Sequence, residues 1–447
     1  MATLGHLKTK LLAGLCILFA GPAAAYECAQ LQDGEQPTEE YGRIVQGDDG
    51  WFFRTAADLT WRFYLGAEAQ DYIRRLHTTL DEKGTRLVFA MVPPRGLVEY
   101  EHVPDSAAYK PILTPSEGRE LYDDFLKRVA ATGAHAPNLL ASASDLSVPF
   151  FFKRDHHWTP DGARQTAIAV ARELRGDDTL AGLDSLQIET QSTAEQELKG
   201  GMARVISRFC SDVIPAETFT AYETAQQASN ADDLGLFDDP SDGAEVVLLG
   251  TSFSDVRIFN FDGFLSEELG VTVANHAISG GGFANSPISY FSSNVFAEAP
   301  PDAIVWELPV YYDVSGSLLE FRQILPAAIG ACAPDDAVAA VSGDMTEPLE
   351  AKIDPAHQIS GIGSYVYVSL DDATQTAVQI DVVYEDGDFE SVPIDRSGRF
   401  DHEGKFFLEF SPDIAASVTG VRVSAETSHL IAADLRICRT KPHQQAG

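Results

Sequence analysis

Val246-Val247-Leu248-Leu249-Gly250-Thr251-Ser252-Phe253-Ser254-Asp255 decides the fold. Four consecutive apolar residues show no alternation, the pattern of a strand buried on both faces of a parallel sheet. A glycine and three hydroxyl side chains follow at once, and residues 255–269 then read as helix. Strand, turn and helix in that order put Ser252 at the carboxyl end of a strand, where open α/β sheets keep their sites. The same grammar recurs. Residues 86–92 are a second apolar run, closed by Pro93-Pro94-Arg95, and residues 303–306 a third, leading into Glu307-Leu308-Pro309. Residues 67–83 and 115–132 have helical periodicity; residues 51–53, 138–141 and 271–275 read as short strands. Residues 190–243 are acidic, punctuated by Pro and Gly, and read as irregular. Strands alternating with helices imply a parallel α/β sheet.

Beyond about residue 340 the pattern changes. Short strands at 365–370, 377–384, 391–394, 405–410, 420–424 and 434–438 are separated by turns, with Asp386-Gly387-Asp388 as a hairpin signal. This reads as an all-β sandwich or jelly roll. A chain of 447 residues exceeds one compact core, so two domains are expected, at 26–335 and 340–447. Residues 1–25 have the layout of a cleaved export signal. Lys8 and Lys10 precede a short apolar stretch, and Ala23-Ala24-Ala25 offers a cleavage site. The expected compartment is the periplasm. The four remaining cysteines, Cys28, Cys210, Cys332 and Cys438, allow three pairings. Pairs that respect the domain boundary are Cys28–Cys210 and Cys332–Cys438. No two cysteines sit at metal-ligand spacing, and neither a metal nor an organic cofactor is expected. A net charge of −35 argues against nucleic acid and anionic membranes as partners.

The chemistry begins at Asp155-His156-His157-Trp158-Thr159-Pro160-Asp161-Gly162. Thr159 is a helix N-cap and Pro160 suits a first turn, so an acid and an imidazole two residues apart stand at the mouth of a helix. A serine hydroxyl needs a base to take its proton, and the base needs a carboxylate to fix its tautomer. Ser252, His157 and Asp155 supply those three parts. Thr251 and Ser254 are rival hydroxyls in the same turn. Gly250-Thr251-Ser252-Phe253-Ser254 is not the Gly-x-Ser-x-Gly elbow, since Ser occupies position 254. Gly281 and Gly282, in the run 280–282, offer either a second oxyanion amide or a plain loop. Tyr312 offers either a phenolic hydrogen bond or packing. Arg95, Lys153 and Arg257 are candidate contacts for an anionic polymer.

Taken together, Asp155-x-His157-Trp158-Thr159-Pro160-x-Gly162, residues 247–254 and Val305-Trp306-Glu307-Leu308-Pro309 resemble the AlgX/AlgJ family of periplasmic SGNH-type polysaccharide O-acetyltransferases. Asp-His preceding the serine is similar to the permuted motif order of that family. The resemblance implies an SGNH-hydrolase-like sheet and a C-terminal carbohydrate-binding module. It also implies acetyl transfer to a polysaccharide, alginate first, with Ser252 acetylated, His157 as base and Asp155 as its partner. The acetyl donor would come from a membrane or periplasmic partner, and export-complex proteins are further expected partners. All four tryptophans precede residue 307, which leaves only tyrosines and phenylalanines for sugar stacking in the β region. A carbohydrate acetylesterase needs the same three residues, and a non-catalytic binding scaffold is the reading from another class.

Overall fold

The structure, a computed structural model, describes residues 41–105, 111–176, 185–210, 213–226, 245–357, 359, 361–396, 402–427 and 429–440. The expected export signal, its cleavage site and Cys28 lie outside the described residues.

The α/β part is built on a four-stranded parallel sheet in the order Arg86–Val92, Ala303–Pro309, Val246–Leu249, Val273–Asn275. Alternate side chains enter two separate cores. Leu87, Phe89, Met91, Val247, Leu249, Ile304 and Trp306 face one, and Val88, Ala90, Val92, Val246, Leu248 and Val305 the other. Burial on both faces is why these strands read as unbroken apolar runs. The helices Ala67–Asp81, Pro115–Ala130 and Pro160–Arg175 supply the cover. Thr114 and Glu117 form a capping box on the second, and Thr159 accepts from the Gly162 amide on the third.

Three expectations are corrected. Residues 138–141 do not form a strand; Asn138 caps the short helix Leu139–Ala143 by accepting from the Ala141 amide. Residues 190–243 are not irregular throughout, and of them 211–212 and 227–243 lie outside the described residues. Ile188–Leu198 and Glu217–Gln226 form an antiparallel hairpin around the helix Gly201–Phe209. Its first strand is mostly exposed, so no apolar alternation marked it. Glu307 does not follow its strand but lies within Ala303–Pro309.

The C-terminal β region is two antiparallel four-stranded sheets. One has the order Leu349–Lys352, Val418–Ser424, Ala377–Tyr384, Phe389–Asp395; the other Lys405–Glu409, Ser364–Leu370, Ala432–Arg439, Ala339–Asp344. Val366, Val368, Ile380, Val382, Leu408 and Ile437 fill the space between them. Tyr365, Tyr367 and Phe407, on the outer face of the second sheet, join the α/β core instead. A sheet buried on both faces cannot offer those tyrosines to sugar. Tyr384 is buried as well. Cys332 and Cys438 are disulfide-bonded, as expected. Cys210 is also in a disulfide.

Candidate active site

The acid-imidazole loop is held by its backbone. Phe151 pairs with Trp158 in an antiparallel bridge, and the Phe152 amide donates to the His157 carbonyl at 3.1 Å. Gly162 packs so closely that a Cβ there would stand 2.3 Å from the Phe150 carbonyl oxygen. Within this frame Asp155 Oδ1 accepts from the His157 amide at 3.0 Å and pairs with His157 Nδ1 at 2.5 Å. His157 Nε2 stands 2.7 Å from Ser252 Oγ. The imidazole packs against Phe253 and Phe259, with ring centroids 4.8 and 5.1 Å away.

Sequence reading missed what holds the acid. Asp155 Oδ2 accepts the Gly201 amide at 2.5 Å, at the start of the helix Gly201–Phe209. A Cβ on Gly200 would meet the Asp155 Cβ at 2.6 Å, and one on Gly201 the Tyr41 hydroxyl at 2.0 Å. The glycine pair lets the helix start reach the carboxylate, and Gly200-Gly201 was the signal available. Burial alone would push the Asp155 carboxyl up. The His157 hydrogen bond and charge, His156 and the Gly201 amide outweigh it and hold the group well below the usual carboxylate range. The His156 ring packs against that of His157, tilted by 37° with centroids 3.8 Å apart. Burial, with the charges of His157 and Arg54, pushes its pKa well down, so it stays neutral. Asp155, His156 and His157 each offer a metal-ligand atom within 4.8 Å of the others. A cation on His157 would displace either Asp155 from Nδ1 or Ser252 from Nε2.

The serine turn separates its three hydroxyls. Glu307, 0 % exposed, lies beneath it. Its Oε2 accepts the Thr251 amide at 2.8 Å and Ser254 Oγ at 3.1 Å, and Thr251 Oγ1 donates to the same carboxylate. Only Ser252 is turned to the imidazole. Gly250 is required here, since a Cβ would stand 2.6 Å from Glu307 Oε2. Burial pushes the Glu307 carboxyl up to about 7 against the hydrogen bonds of Thr251 and Ser254.

Other candidates fall elsewhere. Arg95 is 2 % exposed and faces no solvent. It pairs with Asp58 at 2.9 Å and donates to the carbonyls of Phe52 and Phe152, bracing the segment before Asp155. A polymer contact is thereby excluded for Arg95. Lys153 is half-buried and Nζ reaches the Asp49 carbonyl at 3.4 Å. Arg257 is exposed. The Gly281 amide donates to the Ile278 carbonyl at 3.1 Å, which occupies the donor expected for an oxyanion. Gly282 has φ of 64° and no neighbouring atoms around its Cβ position. Tyr312 packs tilted against Tyr311, centroids 4.9 Å apart, and both line a cavity of about 530 Å³.

A family model described as the SGNH hydrolase-like domain of the acetyltransferase AlgX matches residues 44–310. The chain belongs to this family. The alginate biosynthesis protein AlgX of Pseudomonas aeruginosa is 29% identical over 398 residues, 88% of this chain and 81% of its own. The probable alginate O-acetylase AlgJ of Pseudomonas syringae is 31% identical over 282 residues, 60% of this chain and 68% of its own. The solved Pseudomonas aeruginosa AlgX structure superposes with a TM-score of 0.78 at 25% identity, over 94% of this chain and 99% of that one. The O-acetyltransferase domain of Pseudomonas putida AlgJ gives 0.50 at 27% identity, over 60% and 91%. Membership in an alginate-acetylation family accords with the resemblance read from the motifs. Among the described residues no helix is long and apolar enough to cross a membrane.

Proposed function

We propose that the protein transfers acetyl groups onto hydroxyls of an exported polysaccharide, alginate first, through an acetyl-Ser252 intermediate. The observation that carries this is the chain of contacts Ser252 Oγ, His157 Nε2, His157 Nδ1, Asp155 Oδ1, at 2.7 and 2.5 Å. Ser252 attacks the donor carbonyl and passes its proton to His157 Nε2. The oxyanion forms beside the Ser252 amide in the first turn of Ser252–Asp255. Collapse expels the leaving group, which takes the proton from His157. A sugar hydroxyl then attacks the acetyl carbonyl and gives its proton to the imidazole. Collapse returns that proton to Ser252. Asp155 stays ionised throughout and stabilises the imidazolium.

The acetyl donor would be supplied by a membrane or periplasmic partner. The two disulfide-bonded cysteine sites accord with a periplasmic setting. Incubating the mature protein with a small acetyl ester and alginate, then weighing protein and sugar by mass spectrometry, tests the reading. Ser252→Ala should lose acyl transfer by several orders of magnitude and stay folded. Ser254→Ala should still acetylate at Ser252. An acetyl adduct on Ser254, or none on the wild type, refutes the assignment. Acetyl lost to water at the same rate with and without polymer would make the protein an esterase.

A further inference from the structure

Residues 61–65 alternate like a strand although they belong to no sheet. Trp61, Phe63 and Leu65 are buried, Arg62 is exposed, and Tyr64 is 69% exposed. Period-two alternation sends side chains two apart to the same side. Arg62 and Tyr64 both line the 530 Å³ cavity, together with Tyr311, Tyr312 and Asp313 in the segment after Ala303–Pro309. That volume falls in the range of small-molecule sites. The wall is fixed rather than loose. The Gly66 amide donates to Ser315 Oγ at 2.9 Å, Ser315 Oγ donates to the Tyr64 carbonyl at 3.1 Å, and Arg128 donates to the Phe63 carbonyl at 2.9 Å.

Charge sharpens the picture. The chain has 67 acidic side chains against 32 basic ones. Arg54, Arg75, Arg95 and Arg322 are all ion-paired. Arg62 has no ion-pair partner among the described residues. The cavity wall at 310–314 continues the strand Ala303–Pro309, whose Glu307 accepts from Thr251 and Ser254 on either side of Ser252. On the same segment the Tyr311 ring lies 4.8 Å from the Arg54 guanidinium.

We propose that Arg62 and Tyr64 form a subsite for a carboxylate-bearing sugar unit of the acceptor chain. The guanidinium takes the sugar carboxylate through paired hydrogen bonds, and the exposed tyrosine face carries the pyranose ring. Asp313, in the same lining, offers an acceptor to sugar hydroxyls. A neutral sugar would leave the Arg62 fork unused, so the subsite selects uronates. It also answers how a protein of charge −35 holds a polyanion once Arg95 is found spent on Asp58. The proposal rests on the acetyl-transfer reading for the identity of the acceptor, but binding is measured without any acetyl donor.

The experiment is titration of the full mature protein with unacetylated oligomannuronate and with a neutral oligosaccharide of equal length. Arg62→Gln should weaken oligomannuronate binding roughly tenfold or more, and Arg62→Lys should retain part of it. Tyr64→Ala should weaken it several-fold. Both exposed positions should leave the melting temperature unchanged. The salt dependence of binding should fall in Arg62→Gln, and the weaker binding of the neutral sugar should not change with that variant. Unchanged oligomannuronate affinity in both Arg62→Gln and Tyr64→Ala overturns the subsite. Equal losses for the charged and neutral sugars overturn its selectivity. Absence of an acetyl-Ser252 adduct in the wild type would refute acyl transfer and leave the titration to judge the subsite.

Discussion

At the scale of single residues, Glu307 bears most on the reacting group without touching it. Glu307 has no ion-pair partner among the described residues, and a fully buried carboxylate of that kind is costly unless hydrogen bonds compensate it. Three come from Thr251 and Ser254, and still burial lifts the group to about 7. For an acid whose folded pKa exceeds its unfolded one, the native state binds more protons between the two values. Stability is then greatest below the unfolded value of 4.5 and falls as pH rises through about 7, by roughly 3 kcal/mol in full. Glu307→Gln keeps the shape and removes the titration. Its melting temperature should therefore change less between pH 5 and 8 than that of the wild type. Parallel melting curves for the two proteins across that window would show that Glu307 is not the titrating group.

At the scale of elements, the active site is made where three independent pieces meet: the loop before Pro160–Arg175, the turn after Val246–Leu249 and the start of Gly201–Phe209. The third is the most sensitive to side-chain volume. Gly200→Ala would press a methyl against the Arg154 carbonyl at 2.5 Å and the Asp155 Cβ at 2.6 Å. Overpacking of that kind costs about 1–3 kcal/mol. We expect a lower melting temperature and a slower Ser252 acylation, read by thermal melting and by the rate of adduct formation. Full wild-type rates would mean that Asp155 does not depend on that helix. The first two pieces were legible in the sequence because unbroken apolar runs and a Thr-Pro cap are local signals. The third was not. The strand before it is mostly exposed and acidic, and the Gly201 amide gains meaning only from Asp155, 46 residues away. Arg95 was misread for the same reason, since position after a strand says nothing of Asp58 waiting to bury its charge.

At the scale of the whole molecule, the β region is joined to the α/β part by a buried polar seam inside an apolar one. Arg75 pairs with Glu409, and Arg322 donates to the Glu409 carbonyl at 2.8 Å and to both oxygens of Glu390 at 2.6 and 2.8 Å. The Tyr365 hydroxyl donates to the Gly330 carbonyl at 2.7 Å, and Tyr365, Tyr367 and Phe407 complete the apolar contact. Removing one member of a buried pair leaves the other charge uncompensated, at about 3–5 kcal/mol. Glu409→Ala should therefore do more than lower stability. It should uncouple the two parts, so that calorimetry resolves two transitions where the wild type gives one. The same seam governs fragments. A 340–447 fragment would expose the Tyr365, Tyr367 and Phe407 face and leave Cys438 without Cys332. Exposed apolar faces of that kind drive association. The fragment should self-associate in sedimentation even under reducing conditions. A monomeric fragment that melts cooperatively would show that the sandwich stands alone and that the seam serves only to orient it.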